Sequence, residues 1–270
     1  MSDADRSTVS ALSMTPMIDV FEPPSPSGLI REALSFLEFP RLLFRAIDLA
    51  RQPRGRGEPV LVLPGFRAGD ASTAILKSYL RLLGYHVSGW HLGRNSGEVS
   101  EVLPRVLKRL FSMHRRTSQR VRIIGWSFGG FIARELARER PELIHRVITL
   151  GTPVVGGPKY TIFAAKLRRN GFDLDAMEAE IACRNKIILQ IPVTAIYSRA
   201  DAMVAWQACI DRDGLNVEHV EVGTTHMGYG ISPEVYKIIA QRLANTSDES
   251  CALAPTKASL RRERRRRRQR

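Results

Sequence analysis

Residues 121 to 134 read Val121-Arg122-Ile123-Ile124-Gly125-Trp126-Ser127-Phe128-Gly129-Gly130-Phe131-Ile132-Ala133-Arg134. An apolar run ending in glycine predicts a buried strand over Val121 to Gly125. Phe128 to Arg140 has helical spacing and stops before Pro141. Ser127 therefore falls on a sharp strand-to-helix turn. A serine that must project a free hydroxyl from such a turn needs small neighbours two positions away on each side, so that helix and strand can approach. Gly125 and Gly129 meet that need, and Gly130 adds room. A serine that merely caps the helix has no use for flanking glycines.

Outward from this turn, strands and helices alternate. Pro59 to Phe66, His86 to Leu92, Val147 to Leu150, Val193 to Tyr197 and Val217 to Val222 read as strands. Ala71 to Leu83, Val99 to His114 and Pro233 to Ala244 read as helices, with Pro233 suited to a first turn. Such alternation predicts an α/β architecture, a mostly parallel sheet with helices on both faces. The alternation pauses between Gly156 and Ile191, where a small helical cap is expected over 156–191. The α/β domain spans 56–246.

Two flanking regions differ in composition. Residues 1–27 are rich in Ser, Pro and Asp and read as disordered. Residues 28–55 hold two apolar stripes at helical spacing, Leu29, Ile30, Ala33, Leu34 and Leu37, then Leu42, Leu43, Ile47 and Ala50, with Pro40 between them. They predict one or two helices packed on the domain by the apolar stripe. A membrane-surface helix helped by Arg31, Arg41, Arg45 and Arg51 is the rival reading. Residues 247–270 form an Arg-rich tail, expected to be disordered.

The 270 residues carry a formal net charge of +14, with 44% hydrophobic and 25% charged residues. Half of that excess sits in Arg261 to Arg270, where eight arginines face Glu263. Like charges in a block repel, which favours a solvated tail. Counterion release would also let the tail touch nucleic acid or an anionic membrane. No stretch of about 18 apolar residues predicts a membrane span, and no basic start precedes an apolar core, so a cytoplasmic location is expected, with membrane association open. Cys183, Cys209 and Cys251 are too few and too far apart for a zinc site or a disulfide framework. No metal or organic cofactor is expected.

A serine hydroxyl needs a general base. Of the six histidines, His226 lies in Thr224-Thr225-His226-Met227-Gly228-Tyr229-Gly230, a loop after a predicted strand, whereas His219 lies within the strand pattern. The imidazole needs an acceptor to fix its tautomer. Asp201 follows a strand in Tyr197-Ser198-Arg199-Ala200-Asp201. Asp211, in an expected helix after Trp206, and Asp213, in an Asp-Gly turn, are rivals. The oxyanion needs two N–H donors. Phe128, after the serine, is one candidate; Phe66, in Leu63-Pro64-Gly65-Phe66-Arg67, is the other. Phe163, Leu167, Leu174 and Met177 in the cap suggest an apolar acyl pocket.

With the order Ser127, Asp201, His226, the chain resembles the α/β-hydrolase superfamily over roughly residues 56–246. Val147-Ile148-Thr149-Leu150-Gly151-Thr152-Pro153 is similar to a stretch in the bacterial lipase/esterase branch. Trp126 departs from that branch, which usually has His before the serine, and Pro64-Gly65-Phe66 replaces a common His-Gly. The resemblance implies a Ser-Asp-His esterase acting on a small-molecule ester or lipid through an acyl-enzyme. An acyltransferase or thioesterase would use the same residues. A non-catalytic protein binding lipid or an anionic surface through the basic tail is the alternative of another class.

Overall fold

A parallel sheet covered by helices on both faces buries its central strands along their whole length, and three strands here are buried throughout. Every residue of β1 (Pro59–Leu63), β3 (Val121–Trp126) and β4 (Ile144–Leu150) is buried. With β2 (His86–Gly89), β5 (Val193–Tyr197) and β6 (Val217–Glu221) they form one parallel sheet of order β2-β1-β3-β4-β5-β6. This computed structural model describes residues 21–24 and 28–245. The expected Arg-rich tail at 247–270 and most of the segment 1–27 lie outside the described residues.

The period-2 alternation along each strand sorts side chains to two cores. Val60, Val62, Ile124, Trp126, Ile148 and Ile196 point to one face. Leu61, Leu63, Ile123, Val147 and Val193 point to the other. Three short helices open the described chain: α1 (Leu29–Ala33), α2 (Glu38–Phe44) and α3 (Ala46–Ala50). The first core is closed by α4 (Ala74–Leu82) and the last helix. The second is closed by α5 (Val99–Thr117) and α6 (Phe128–Glu139). Between β4 and β5 stand α7 (Ala164–Arg169) and α8 (Leu174–Asn185), and α9 (Pro233–Ala244) closes the chain.

Strand order reverses at β1: the chain goes outward to β2, then crosses back to β3 on the other side. In open α/β sheets the crevice beyond the carboxyl ends at such a reversal is where ligands bind. Here those ends carry Pro64–Ala68, after β1, and Ser127, after β3.

Several expected boundaries move. The helix expected from Ala71 opens as a 3-10 turn, Asp70–Thr73. β1 and β2 end earlier than expected, at Leu63 and Gly89. β4 begins three residues earlier than expected, because His145 and Arg146 are buried within it. Burial between Arg122 and Arg146 pushes the His145 pKa down to about 3, so it enters the sheet uncharged. The region 156–191 is helical, and Asp173 caps α8 through the N–H groups of Asp175 and Ala176. Tyr160 Oη donates to Glu178 at 2.7 Å, and Arg184 pairs with Glu135 on α6. Phe21, in the segment expected to be disordered, stands edge-on to Tyr160 at 5.3 Å.

The N-terminal helices depart most. Pro40 does not separate two helices but sits in the first turn of α2, where its missing N–H costs nothing. The break comes earlier, at a 3-10 stretch over Leu34–Leu37. Leu49 joins the core and Leu42 packs partly against it. Leu29, Ile30, Leu37, Leu43 and Ile47, assigned to the packed stripe, are exposed, while Glu32, Ser35 and Glu38 are buried. Among the described residues no helix is long and apolar enough to cross a membrane.

Candidate active site

The turn at Ser127 is under backbone strain. Ser127 has φ 52° and ψ −121°, a conformation costing roughly 1–3 kcal/mol for a non-glycine residue. Its backbone is held on both sides. Ser127 N–H donates to Leu150 O at 2.7 Å, and Ser127 O accepts from Gly130 N–H and from Thr152 Oγ1, both at 2.9 Å. Its hydroxyl makes no capping bond to α6, which leaves it available for chemistry. A Cβ on Gly125 would strike the backbone of Gly129 and Gly130, and one on Gly129 would strike the carbonyl oxygens of Leu63 and Pro64. The glycines therefore let α6 press against β1 and β3, as their spacing predicts.

Asp201 and His226 meet over the next strand ends. His226 Nδ1 and Asp201 Oδ2 are 2.7 Å apart, both side chains buried. The other carboxylate oxygen, Oδ1, accepts from Met203 N–H at 2.9 Å and Val204 N–H at 2.8 Å. Asp201 thus caps a bend, not a helix, and still offers one oxygen to the imidazole. Burial disfavours the imidazolium. The Asp201 carboxylate outweighs that, with Glu32 behind it, and holds the His226 pKa above its ordinary value of 6.5. Trp126 lies under the imidazole at 6.3 Å, and Tyr229 stands edge-on to it at 5.8 Å. Trp126, at the position where the resembled lipases usually carry His, thus serves as an apolar wall.

The strand ends are brought close by Gly151. With φ +53°, a Cβ there would lie 2.9 Å from Asp201 Oδ2 and 3.0 Å from His226 Nδ1. Because Ser127 N–H is bonded to Leu150 O, the residue before Gly151, serine, imidazole and carboxylate share one rim of the sheet.

Of the rival acids, Asp213 is exposed and Asp211 is otherwise engaged. Asp211 follows a short 3-10 turn, Trp206–Cys209, and not the expected helix. Its Oδ2 binds Arg134 Nη2 at 2.5 Å, and its N–H donates to His219 Nε2 at 3.0 Å. Burial lowers the His219 pKa, against the opposing pull of Asp211. His219 and Asp211 therefore form a separate cluster with Arg134.

The loop after β1 abuts the serine: a Cβ on Gly65 would stand 3.3 Å from Ser127 Cβ. Phe66 is followed by Arg67 at φ 58°, like Ser127 a non-glycine residue at positive φ. Phe128 opens α6, where a backbone N–H has no intrahelical acceptor. Phe66 also meets Phe163 edge-on at 5.8 Å, while Phe128 stacks on Phe131 at 5.9 Å. Of the other expected pocket residues, Leu174 is fully packed, whereas Leu167 and Met177 are half-buried.

Two residues bearing on this site were not singled out by sequence. Asn95, fully buried, donates Nδ2 to Pro64 O at 3.0 Å. Its backbone exchanges bonds of 2.8 Å with Arg67 and Ala68, fixing the loop that carries Phe66. Glu32, buried in α1, accepts three backbone N–H bonds: Ala202 (2.9 Å) and His226 (3.1 Å) on Oε1, and Met227 (2.8 Å) on Oε2. Among the described residues no three His, Cys, Asp or Glu side chains gather as metal ligands.

Comparison with known proteins identifies the fold. No family model matches the chain, and no curated protein matches its sequence. Solved structures do. One of the metagenome-derived lipolytic enzymes LipS and LipT superposes with a TM-score of 0.55 at 14% identity, over 71% of this chain and 94% of that one. A lipase-esterase related protein from Clostridium acetobutylicum gives 0.51 at 16% identity, over 71% and 96%. Mouse alpha/beta hydrolase domain-containing protein 10 gives 0.51 at 14% identity, over 74% and 93%. With its six parallel strands and flanking helices, the chain has the α/β-hydrolase fold.

Proposed function

We propose that this α/β-hydrolase-fold chain is a serine hydrolase that cleaves carboxylic esters. Ser127 is the nucleophile, His226 the general base and Asp201 its acceptor. The observation that carries the reading is a strained serine with an uncommitted hydroxyl, on the same sheet rim as a buried Asp–His pair.

The chemistry follows from the atoms. With Nδ1–H held by Asp201 Oδ2, the His226 tautomer leaves Nε2 free to take the Ser127 proton. Ser127 Oγ adds to the ester carbonyl, and the oxyanion draws on the N–H groups of Phe66 and Phe128. The intermediate collapses, the C–O bond to the alcohol breaks, and His226 returns the proton to the departing alkoxide. A water then gives its proton to His226 and attacks the acyl-serine. Collapse releases the acid, and the proton returns to Ser127 Oγ. Asp201 stays ionised and offsets the imidazolium charge.

The aromatic pair Phe66–Phe163 beside the loop favours an acyl chain of medium or long length over a sugar or peptide. The named lipolytic and lipase-related neighbours accord with that choice without fixing it. The test is a series of p-nitrophenyl esters from acetate to palmitate, with wild type and Ser127→Ala. Hydrolysis that rises beyond the short chains and falls on the order of 10³-fold or more in the variant supports the reading. Equal turnover by the variant contradicts it.

A further inference from the structure

The N-terminal segment turns the polar side chains Glu32, Ser35 and Glu38 inward, and the buried carboxylate of Glu32 has a definite target. Its three hydrogen bonds go only to backbone N–H groups of the two loops that carry Asp201 and His226: Ala202 and Met227 are their immediate neighbours, and the third donor is His226 itself. Glu38 stands beside it, with Oε1 3.4 Å from Thr224 Oγ1 in the same histidine loop. We infer that Glu32 is a positioning residue, one carboxylate that clamps the acid loop to the base loop and so fixes the separation of Asp201 and His226.

The inference rests on the reading of His226 as general base. A carboxylate has two acceptor oxygens and no donor, which suits three converging N–H groups; an amide turns an N–H against one of them. The negative charge also lies near the imidazole and favours its protonated form. Glu32→Gln keeps the shape and removes the charge. It is tested by titrating the His226 ring by NMR and by kcat and KM on a soluble ester, with thermal melting as the control for folding. The expected results are a lower His226 pKa and a kcat lowered on the order of 10- to 100-fold at little-changed KM. Glu32→Asp, which keeps the charge but shortens the reach, restores the pKa more than the rate. An unchanged His226 titration in a folded Glu32→Gln protein overturns the inference. Because the titration needs no turnover, it stands apart from any failure of the esterase reading.

A separate observation concerns the outer face of the same helices. Phe44 is 88% exposed, Phe36 78%, Ile30 76% and Ile47 70%, with Leu37 and Leu43 beside them in sequence. Large apolar side chains on a surface mark an interaction site. The charge around them names the partner: Arg31, Arg41, Arg45, Arg51, Arg54 and Arg56 are exposed, against two exposed acids, Glu22 and Asp48. The geometry points to an anionic lipid bilayer, with the aromatic and aliphatic groups in the interface and the arginines at the headgroups. Glu32 ties this face to the active-site loops.

Flotation of the full chain with phosphatidylglycerol and phosphatidylcholine vesicles tests it. Binding to the first only, weakened by salt and lowered about ten-fold or more in Phe36→Ser/Phe44→Ser, supports the surface. Soluble-ester activity should be unchanged in that variant. No binding, binding that survives the double substitution, or binding abolished by deleting residues 247–270 alone overturns it. So does a dimer, by light scattering, that dissociates in the double variant.

Discussion

Asp201 divides its carboxylate between two tasks: Oδ2 stands 2.7 Å from His226 Nδ1, and Oδ1 holds the N–H groups of Met203 and Val204. The bend therefore fixes the carboxylate before the imidazole meets it. Asp201→Asn keeps the bend and presents either an amide nitrogen or a neutral oxygen to Nδ1. It should lower kcat by about 10³-fold or more, since the wrong tautomer is favoured. Asp211→Asn, acting on the Arg134 cluster, should leave kcat within a few-fold and lower stability. Assays of both variants on one ester discriminate the two acids.

The pH profile carries the sign of the His226 shift. In the proposed role His226 must be neutral to take a proton, and its pKa is raised above 6.5. Activity should therefore rise with pH to a midpoint above the ordinary histidine value, and kcat/KM from pH 5 to 10 measures that midpoint. On stability the shift acts in the opposite sense: the stabilising contribution is full below 6.5 and is lost as pH rises through the folded value. An acidic midpoint below 6.5 would disagree with the pairing.

Asn95 holds Pro64 O in the loop proposed to supply the Phe66 oxyanion donor. Asn95→Ala strands a buried carbonyl, at a cost of about 1–3 kcal/mol, and loosens the loop that presents Phe66. The rate should fall more than substrate binding weakens, so kcat drops with KM little changed. Urea melts and steady-state kinetics on the same preparation separate the two effects.

Leu61 lies at the centre of β1, fully buried in the core under α5 and α6. Leu61→Ala should cost about 2–5 kcal/mol by loss of transfer free energy and a residual cavity. The urea midpoint reads it directly, and the His226–Asp201 geometry, across the sheet, should be unaffected.

Much of this arrangement was legible in sequence because it rests on local pattern. The apolar runs of β1 and β3 and the glycines around Ser127 point to a parallel sheet and a sharp turn. β5 and α9 have the expected bounds, Val193–Tyr197 and Pro233–Ala244. The N-terminal segment is helical and lies on the domain as expected, but the face that packs was misread for a physical reason. Periodicity shows that a helix has two unlike faces, but not which one meets the protein. Here three converging N–H groups are met by one carboxylate, so Glu32 faces inward while Leu29, Ile30, Leu37, Leu43 and Ile47 face outward. Asn95 escaped notice because its value lies in a side-chain bond to the Pro64 carbonyl and two backbone bonds that no spacing announces. β4 was cut short because His145 and Arg146 broke the apolar run that their burial continues.

The most direct measurement is covalent labelling of the full chain with a fluorophosphonate, followed by peptide mass spectrometry. The assignment of Ser127 as nucleophile predicts one adduct on Ser127, absent in Ser127→Ala and strongly slowed in His226→Ala. An adduct on another serine, or labelling that persists undiminished in Ser127→Ala, would contradict it.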